Sequence, residues 1–260
     1  MSMRLPWPAW LFLAAVFSVI LAAAWQSSAR AEPIAVHVAL APVDTALETI
    51  PSPTPAPFGL TQPALATAPA LAMAAKWHAM QSIIAAELRA IALCRELAAA
   101  CSSAAARFAA IVDAARDETG RARIGLINRA INLAIRPLRD SAQFGAADIW
   151  QSPLMTFATG AGDCEDYAIA KYVALRQAGV TVDDLKIVIV NDARRGEDHA
   201  VTAARIDGEW LILDHRKMLL LADTQVRDLK PLIALGEDAP QPARIQDAGL
   251  GALIAATTTG

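Results

Sequence analysis

The dipeptide Asp207-Gly208 stands between two β-rich runs, residues 199–206 and 209–214. Asp-Gly suits a two-residue turn whose central positions both need positive φ, so it signals a tight antiparallel hairpin. The turn fixes the register. Ile206 faces Glu209, and counting outward Val201 faces Asp214. His199 shares the face of Val201 and lies diagonal to Asp214, where cross-strand neighbours are about 7 to 8 Å apart and within reach of long side chains. An imidazole and a carboxylate are thus brought together without any assumption about the rest of the fold, the relation of a general base to the group that orients it. By the same alternation His215 points away from Asp214 and reads as non-catalytic, and His37 and His78 read as incidental.

The nucleophile suggested beside this pair is Cys164, in the run Gly162-Asp163-Cys164-Glu165-Asp166-Tyr167. A helix is expected over residues 163–179, with Asp163 at its N-cap and Gly179 in the left-handed position after its end. A thiol at a helix start gains from the positive end of the dipole, which lowers its pKa from about 8.5. The glycines at 160 and 162 leave the sulfur approachable, and free backbone N–H groups there suit an oxyanion. Asp163, Glu165 and Asp166 act in the opposite direction, because negative charge raises a thiol pKa. Something must neutralise them. Taken singly, each residue also has a structural reading: Cys164 as a packed side chain, His199 as the head of a strand, Asp214 as a hairpin cap.

Export bears on how the cysteines read. The chain opens Met1-Ser2-Met3-Arg4, continues with an apolar stretch over residues 7–25, and reaches Ala29-Arg30-Ala31 before Glu32. These are the parts of a signal peptide, with cleavage expected after Ala31 and a periplasmic body. An uncleaved inner-membrane anchor is the alternative, since the apolar stretch approaches the roughly 20 residues that span a bilayer. In an oxidising compartment three cysteines leave one over. Cys94 and Cys101 form the natural pair, but seven residues of continuous helix rise about 10 Å, beyond the roughly 7 Å limit for a bridge. A bridge therefore requires the helix to break near residues 98–100; otherwise both are small buried residues.

Along the rest of the chain, prolines at 51, 53, 55, 57, 63 and 69 make residues 32–70 a linker or a wrap over the domain surface. Trp77, Ile83, Ile84, Leu88, Ile91 and Leu97 then recur at mostly helical spacings. Phe108, Ile111 and Val112 mark a second helix, and Ile124, Ile127, Ile131 and Ile135 a third. Residues 141–162 read as turn-rich, residues 185–190 as a β-branched strand, and residues 192–198 as a charged loop. A domain over 71–233 and a peripheral tail over 234–260 complete the expected layout. The formal net charge of -3 in 260 residues gives no basic surface for nucleic acid.

The residues Asn128-x-x-x-Asn132, Asp140-x-x-x-Phe144-Gly145-x-x-Asp148-x-Trp150, Gly162-Asp163-Cys164-Glu165-Asp166-Tyr167-Ala168-x-Ala170-Lys171-Tyr172, His199-Ala200-Val201 and Trp210-x-x-Leu213-Asp214 resemble the bacterial transglutaminase-like cysteine peptidases, including their LapG-type periplasmic branch. The resemblance implies an α+β, papain-like or transglutaminase-like fold, with a nucleophile helix packed on an antiparallel sheet and a helical amino-terminal half. It implies Cys164 as nucleophile, His199 as base and Asp214 as orienter. The adhesin-cleaving branch is calcium-dependent and uses the acids flanking its cysteine, here Asp163 and Glu165, which fits the preference of calcium for several oxygen ligands. Asp166 is a further candidate ligand, and Trp150 reads either as cleft wall or as core. His215 departs from the pattern, which commonly places Asn there.

The function so implied is an exported, calcium-dependent endopeptidase that cuts a large surface adhesin near small residues to control biofilm attachment, restrained by a cyclic-di-GMP-responsive inner-membrane receptor. Two other readings share the residues: an acyltransferase passing the acyl group to an amine, and a peptide-binding domain with an idle triad.

Overall fold

The computed structural model describes residues 55–60, 67–146 and 148–237. The leader with its Ala29-Arg30-Ala31 site, His37, most of the proline-rich segment and the tail beyond residue 237 lie outside the described residues.

Helix α1, Ala68–Glu96, begins with Thr67 accepting a hydrogen bond from the Ala70 N–H and has proline in its first turn, where a missing N–H costs nothing. It buries Ala70, Ala74, Trp77, Met80, Ile84, Ile91 and Cys94 along one stripe. Ile83 and Leu97, which belong to the same apolar series in the sequence, are 49% and 57% exposed. Adjacent helical residues point about 100° apart, so Ile83 and Ile84 cannot share the buried stripe. Leu97 lies past the last helical turn.

The helix stops at Glu96, and a single 3-10 turn, Ala98–Ala100, brings the Cα atoms of Cys94 and Cys101 to 4.3 Å, where the two are bridged. The break that such a pairing requires is present. Helices α2, Ser103–Arg116, and α3, Gly120–Ala134, follow with Phe108, Val112, Ile124, Ile127 and Ile131 buried.

The stretch read as turn-rich holds more structure than its composition shows. A two-residue strand β1, Arg136–Pro137, pairs in parallel with β2, Ala161–Gly162. Between them come the one-turn helix α4, Asp140–Gln143, and the two-turn helix α5, Pro153–Thr159. Helix α5 is too short to show periodicity. Glu87 of α1 secures it, accepting hydrogen bonds from the Ser152 hydroxyl and, at 2.9 Å, from the Leu154 N–H at the helix start.

Helix α6, Cys164–Gln177, is buried continuously from Asp166 to Leu175. It ends where Gly179 adopts φ +97° and the Val180 N–H returns to the Leu175 carbonyl. Five antiparallel strands follow, in spatial order β6-β5-β4-β3-β7. They are β3, Leu185–Asp192; β4, Glu197–Ile206; β5, Glu209–Leu213; β6, Leu221–Ala222; and β7, Leu229–Leu235. The hairpin register pairs Ile206 with Glu209, and Asp207 and Gly208 take φ of +50° and +80°.

One face of the sheet, with Leu185, Ile187, Ile189, Ala200, Ala204, Leu211 and Leu213, joins α6 and the helical half in the main core. The other face carries Val188, Val190, Val201, Trp210 and Ile212, covered in part by Phe58 and Leu60. Those two belong to the proline-rich segment, which is tied down where Trp210 Nε1 donates to the Pro55 carbonyl at 2.9 Å and the Phe58 N–H donates to Asp223 at 2.6 Å. The architecture is α+β: a helical amino-terminal half and a central helix laid on an antiparallel sheet.

The bridge closes a short loop, so replacing Cys94 and Cys101 with serine is expected to lower stability by about 2 to 3 kcal/mol. Urea unfolding of the two proteins measures this, and coincident transitions would show that the bridge contributes nothing.

Candidate active site

The hydrogen bond expected across the hairpin is present. His199 Nε2 lies 2.9 Å from Asp214 Oδ1, with His199 1% and Asp214 4% exposed. With Nε2–H donated to the carboxylate, His199 Nδ1 is the basic nitrogen; it is buried and has no hydrogen-bond partner among the described residues. Burial alone would raise the Asp214 pKa. The His199 hydrogen bond and charge, with the Arg216 N–H at 3.0 Å, instead hold it well below the usual carboxylate range.

The backbone of this corner is anchored from α3. Asn132 Nδ2 donates to the carbonyls of Asp214 and Lys217 at 3.2 and 3.1 Å, and Asn128 Nδ2 reaches the Lys217 carbonyl at 3.1 Å. Four residues apart, the two asparagines share a helix face. The Arg216 guanidinium bridges Asp192 at the end of β3 and Glu197 at the start of β4. These supports are invisible in the hairpin pattern; the Asn128-x-x-x-Asn132 spacing is the one signal that points to them.

Cys164 opens α6, half-buried, and the N–H of Ala200, the residue after His199, is hydrogen-bonded to its sulfur. The thiol donates to Glu165 Oε2 at 2.9 Å. Burial pushes the Cys164 thiol far up; the charge and hydrogen bond of Glu165 and the charge of Asp163 add to that, while the Ala200 N–H opposes it. The acids around the sulfur therefore suppress the thiolate, as their sequence positions imply.

They are also part of a larger group. Asp140, Asp163 and Asp166 bring carboxylate oxygens within 4.8 Å of one another. Asp166, fully buried, accepts from the Gln151 N–H at 2.7 Å, from Gln151 Nε2 at 2.5 Å and from the Asp163 N–H at 3.2 Å. Asp140 Oδ2 accepts from the Ile149 N–H, but Asp140 Oδ1 and Asp163 Oδ1 are buried with no partner among the described residues. Burial, then the charges of Glu165 and Asp166, raise Asp163 to about 8. Burial raises Asp166 to about 7 against the pull of the Gln151 hydrogen bonds, and raises Asp140 as well. Of the two acids expected to flank a metal, Asp163 sits inside the cluster, while Glu165 joins its edge through a side-chain hydrogen bond to Asp163 and turns one oxygen to the sulfur. Asp140 is the member that sequence reasoning did not assign. Crowded, underpaired hard oxygens are a donor set that fits calcium.

His215 is not turned away from Asp214 as strand alternation implies: its Nδ1 lies 3.9 Å from Asp214 Oδ1. Strand β5 ends at Leu213, so the alternation of faces no longer applies two residues later. The ring stacks on Tyr167 of α6 at 4.8 Å and meets His199 edge-on at 5.2 Å, and it lines the cleft. Burial, and then the His199 charge, hold it neutral, with its pKa lowered to about 3. Trp150 packs against the main core under Lys76 and does not line the cleft, and His78 lies on α1 beside Gln81.

The cleft, about 550 Å³, is bordered by Leu138, Arg139, Cys164, Glu165, Arg195 and His215, among others. It is open and carries charges of both signs, from Arg139, Arg195 and Arg216 and from Asp163, Glu165, Glu197 and Asp198. The profile of the bacterial transglutaminase-like cysteine proteinases matches residues 82–227, more than half of the chain and all of the site. The chain belongs to this family. It is a cysteine peptidase. Among solved structures it is similar to Legionella pneumophila LapG, at 26% identity over 56% of this chain and 80% of that one, with a TM-score of 0.48. The calcium-bound form of the same protein gives 25% identity over 56% and 82%, also with a TM-score of 0.48. No curated protein matches significantly.

In this transglutaminase-like peptidase the loop before the cysteine has no room for a side chain. A Cβ on Gly162 would lie 2.5 Å from Asp166 Oδ2 and 2.8 Å from its Cβ. Gly162→Ala is expected to cost about 1 to 3 kcal/mol and to loosen the Asp166 hydrogen bonds. A urea transition unmoved by the substitution would contradict this.

Proposed function

We propose that the protein is an exported, calcium-dependent endopeptidase in which Cys164, His199 and Asp214 form the catalytic triad. The observation that carries this reading is the buried His199–Asp214 hydrogen bond, which leaves Nδ1 unengaged while the adjacent Ala200 N–H holds the Cys164 sulfur. His199 takes the thiol proton, the sulfur attacks a peptide carbonyl, and the developing oxyanion is received by backbone N–H groups at the start of α6. The imidazolium then protonates the departing amine, and water, deprotonated by His199, releases the acyl group. Asp214 keeps the imidazole in the tautomer that accepts at Nδ1.

Asp163 and Glu165, with Asp140 and Asp166, would hold calcium, whose charge offsets the carboxylates that suppress the thiolate. The body of the protease is assigned to residues 71–233, after a leader over 1–31 and a linker over 32–70, in the periplasm. No helix among the described residues is long and apolar enough to cross a membrane. The substrate is assigned as a large surface adhesin cut near small residues, and a cyclic-di-GMP-responsive receptor as the restraining partner; both rest on the family resemblance.

Cys164→Ala should abolish cleavage of an adhesin segment bearing paired alanines while leaving the melting temperature near that of the parent. Retained cleavage would remove the nucleophile assignment. The calcium reading has its own pH signature. Folding raises Asp163 to about 8 and Asp166 to about 7, so without metal their contribution to stability is full below the ordinary carboxylate pKa and is lost as pH rises towards 8. Calcium binds the ionised forms. In chelator the melting temperature should fall between about pH 5 and pH 8, and calcium should raise it more at the higher pH. Melting curves and activity indifferent to chelator at both values would exclude the metal.

A further inference from the structure

Lys171 lies on α6, four residues after Tyr167 and seven after Cys164, and has no exposed surface. Lysines are almost never so buried unless paired. Here Nζ makes no hydrogen bond to any described residue. Packing gives no reason for it, because a methionine would fill similar volume without burying an ammonium group.

Its surroundings give one. Nζ stands 5.7 Å over the Tyr167 ring, the ring on which His215 stacks at 4.8 Å, and His215 in turn meets the edge of His199 at 5.2 Å. Lys171, Tyr167, His215 and His199 therefore form a continuous series of contacts from the core to the triad. The ammonium also senses one carboxylate. Burial lowers Lys171 to about 7, and the charge of Asp214 is what opposes that fall.

We propose that Lys171 is a positioning residue for the triad, steadying, through the Tyr167 ring, the His215 side chain that walls His199. The proposal rests on the reading of Cys164, His199 and Asp214 as the triad. It assigns a role to the lysine beyond packing, and it predicts an unusual pairing of effects: removing the charge should harm reactivity without harming the fold.

Lys171→Met in the full chain with calcium present tests it. The readouts are the melting temperature, the rate of Cys164 alkylation by iodoacetamide, and the resonance of the His199 Nε2 proton bonded to Asp214. The proposal expects a melting temperature equal to or above that of the parent, alkylation slower by about tenfold or more, and a displaced proton resonance. Alkylation at the parental rate overturns it, and so does a lowered melting temperature or a failure to fold, which would make Lys171 a packing residue. His199→Ala separates the two levels of the argument. If that variant also alkylates at the parental rate, the triad reading itself fails; if it is slow while Lys171→Met is fast, only the role of Lys171 is lost.

Discussion

Asp166 ties together the parts of the site that arrive from different places in the chain. Its carboxylate, with no exposed surface, takes hydrogen bonds from both the backbone and side chain of Gln151 and from the N–H of Asp163. One side chain thus fixes the loop before α5, the end of β2 and the start of α6. Gly162 is confined by it, because only hydrogen fits against its carboxylate. Breaking such a group by removing one partner leaves the others buried and unsatisfied, a loss of about 1 to 3 kcal/mol for each. The short β1–β2 ladder adds a second constraint from outside the helix, with the Leu138 N–H on the Gly162 carbonyl at 2.9 Å.

The same carboxylate creates the electrostatic problem that the site has to resolve. Asp163 and Asp140 crowd it, and Glu165 reaches both Asp163 and the sulfur. Helix-start N–H groups offset only a fraction of a charge, which cannot balance several acids and a thiolate at once. On the proposed reading, a cation that prefers oxygen ligands would relieve the crowding and the suppressed thiol together. On that account metal binding and nucleophile activation are two aspects of one arrangement, since any change that unloads the acids also returns their charge to the sulfur.

Much of this was legible in the sequence where the physics is local. Asp207-Gly208 dictated the turn and the turn dictated the register, which ends by pairing Thr202 with Leu213 and so leaves Asp214, the next residue, within hydrogen-bond reach of His199. The Cys94–Cys101 pairing was open in the sequence, because it depended on a helix break that spacing alone does not show; the chain supplies that break at Ala98–Ala100. Legibility failed where the determining contact is distant. Helix α5 depends on Glu87, more than sixty residues earlier, and its seven residues carry no periodicity of their own. His215 was misread because strand alternation was carried past Leu213, the last residue that obeys it. Asp140 gives no local sign of approaching Asp163, since that approach is made by the β1–β2 ladder and by the Ile149 N–H held on its carboxylate.

Residues that folding alone would avoid are concentrated on one helix. Within its first eight positions α6 carries a suppressed thiol, two acids and a fully buried lysine, and an apolar substitution at several of these would satisfy packing better. The helix can carry them because the rest of the domain over-determines its place: the sheet covers one side, α3 and α5 another, and the Thr202 hydroxyl reaches the Ala168 carbonyl at 2.9 Å. Stability drawn from that apolar surround is what allows charge to be held where water cannot screen it. In such surroundings a charge acts over longer distances than at the surface, so, beyond the effect of burial, Glu165 raises the Cys164 thiol pKa by its charge and hydrogen bond and Asp163 by its charge.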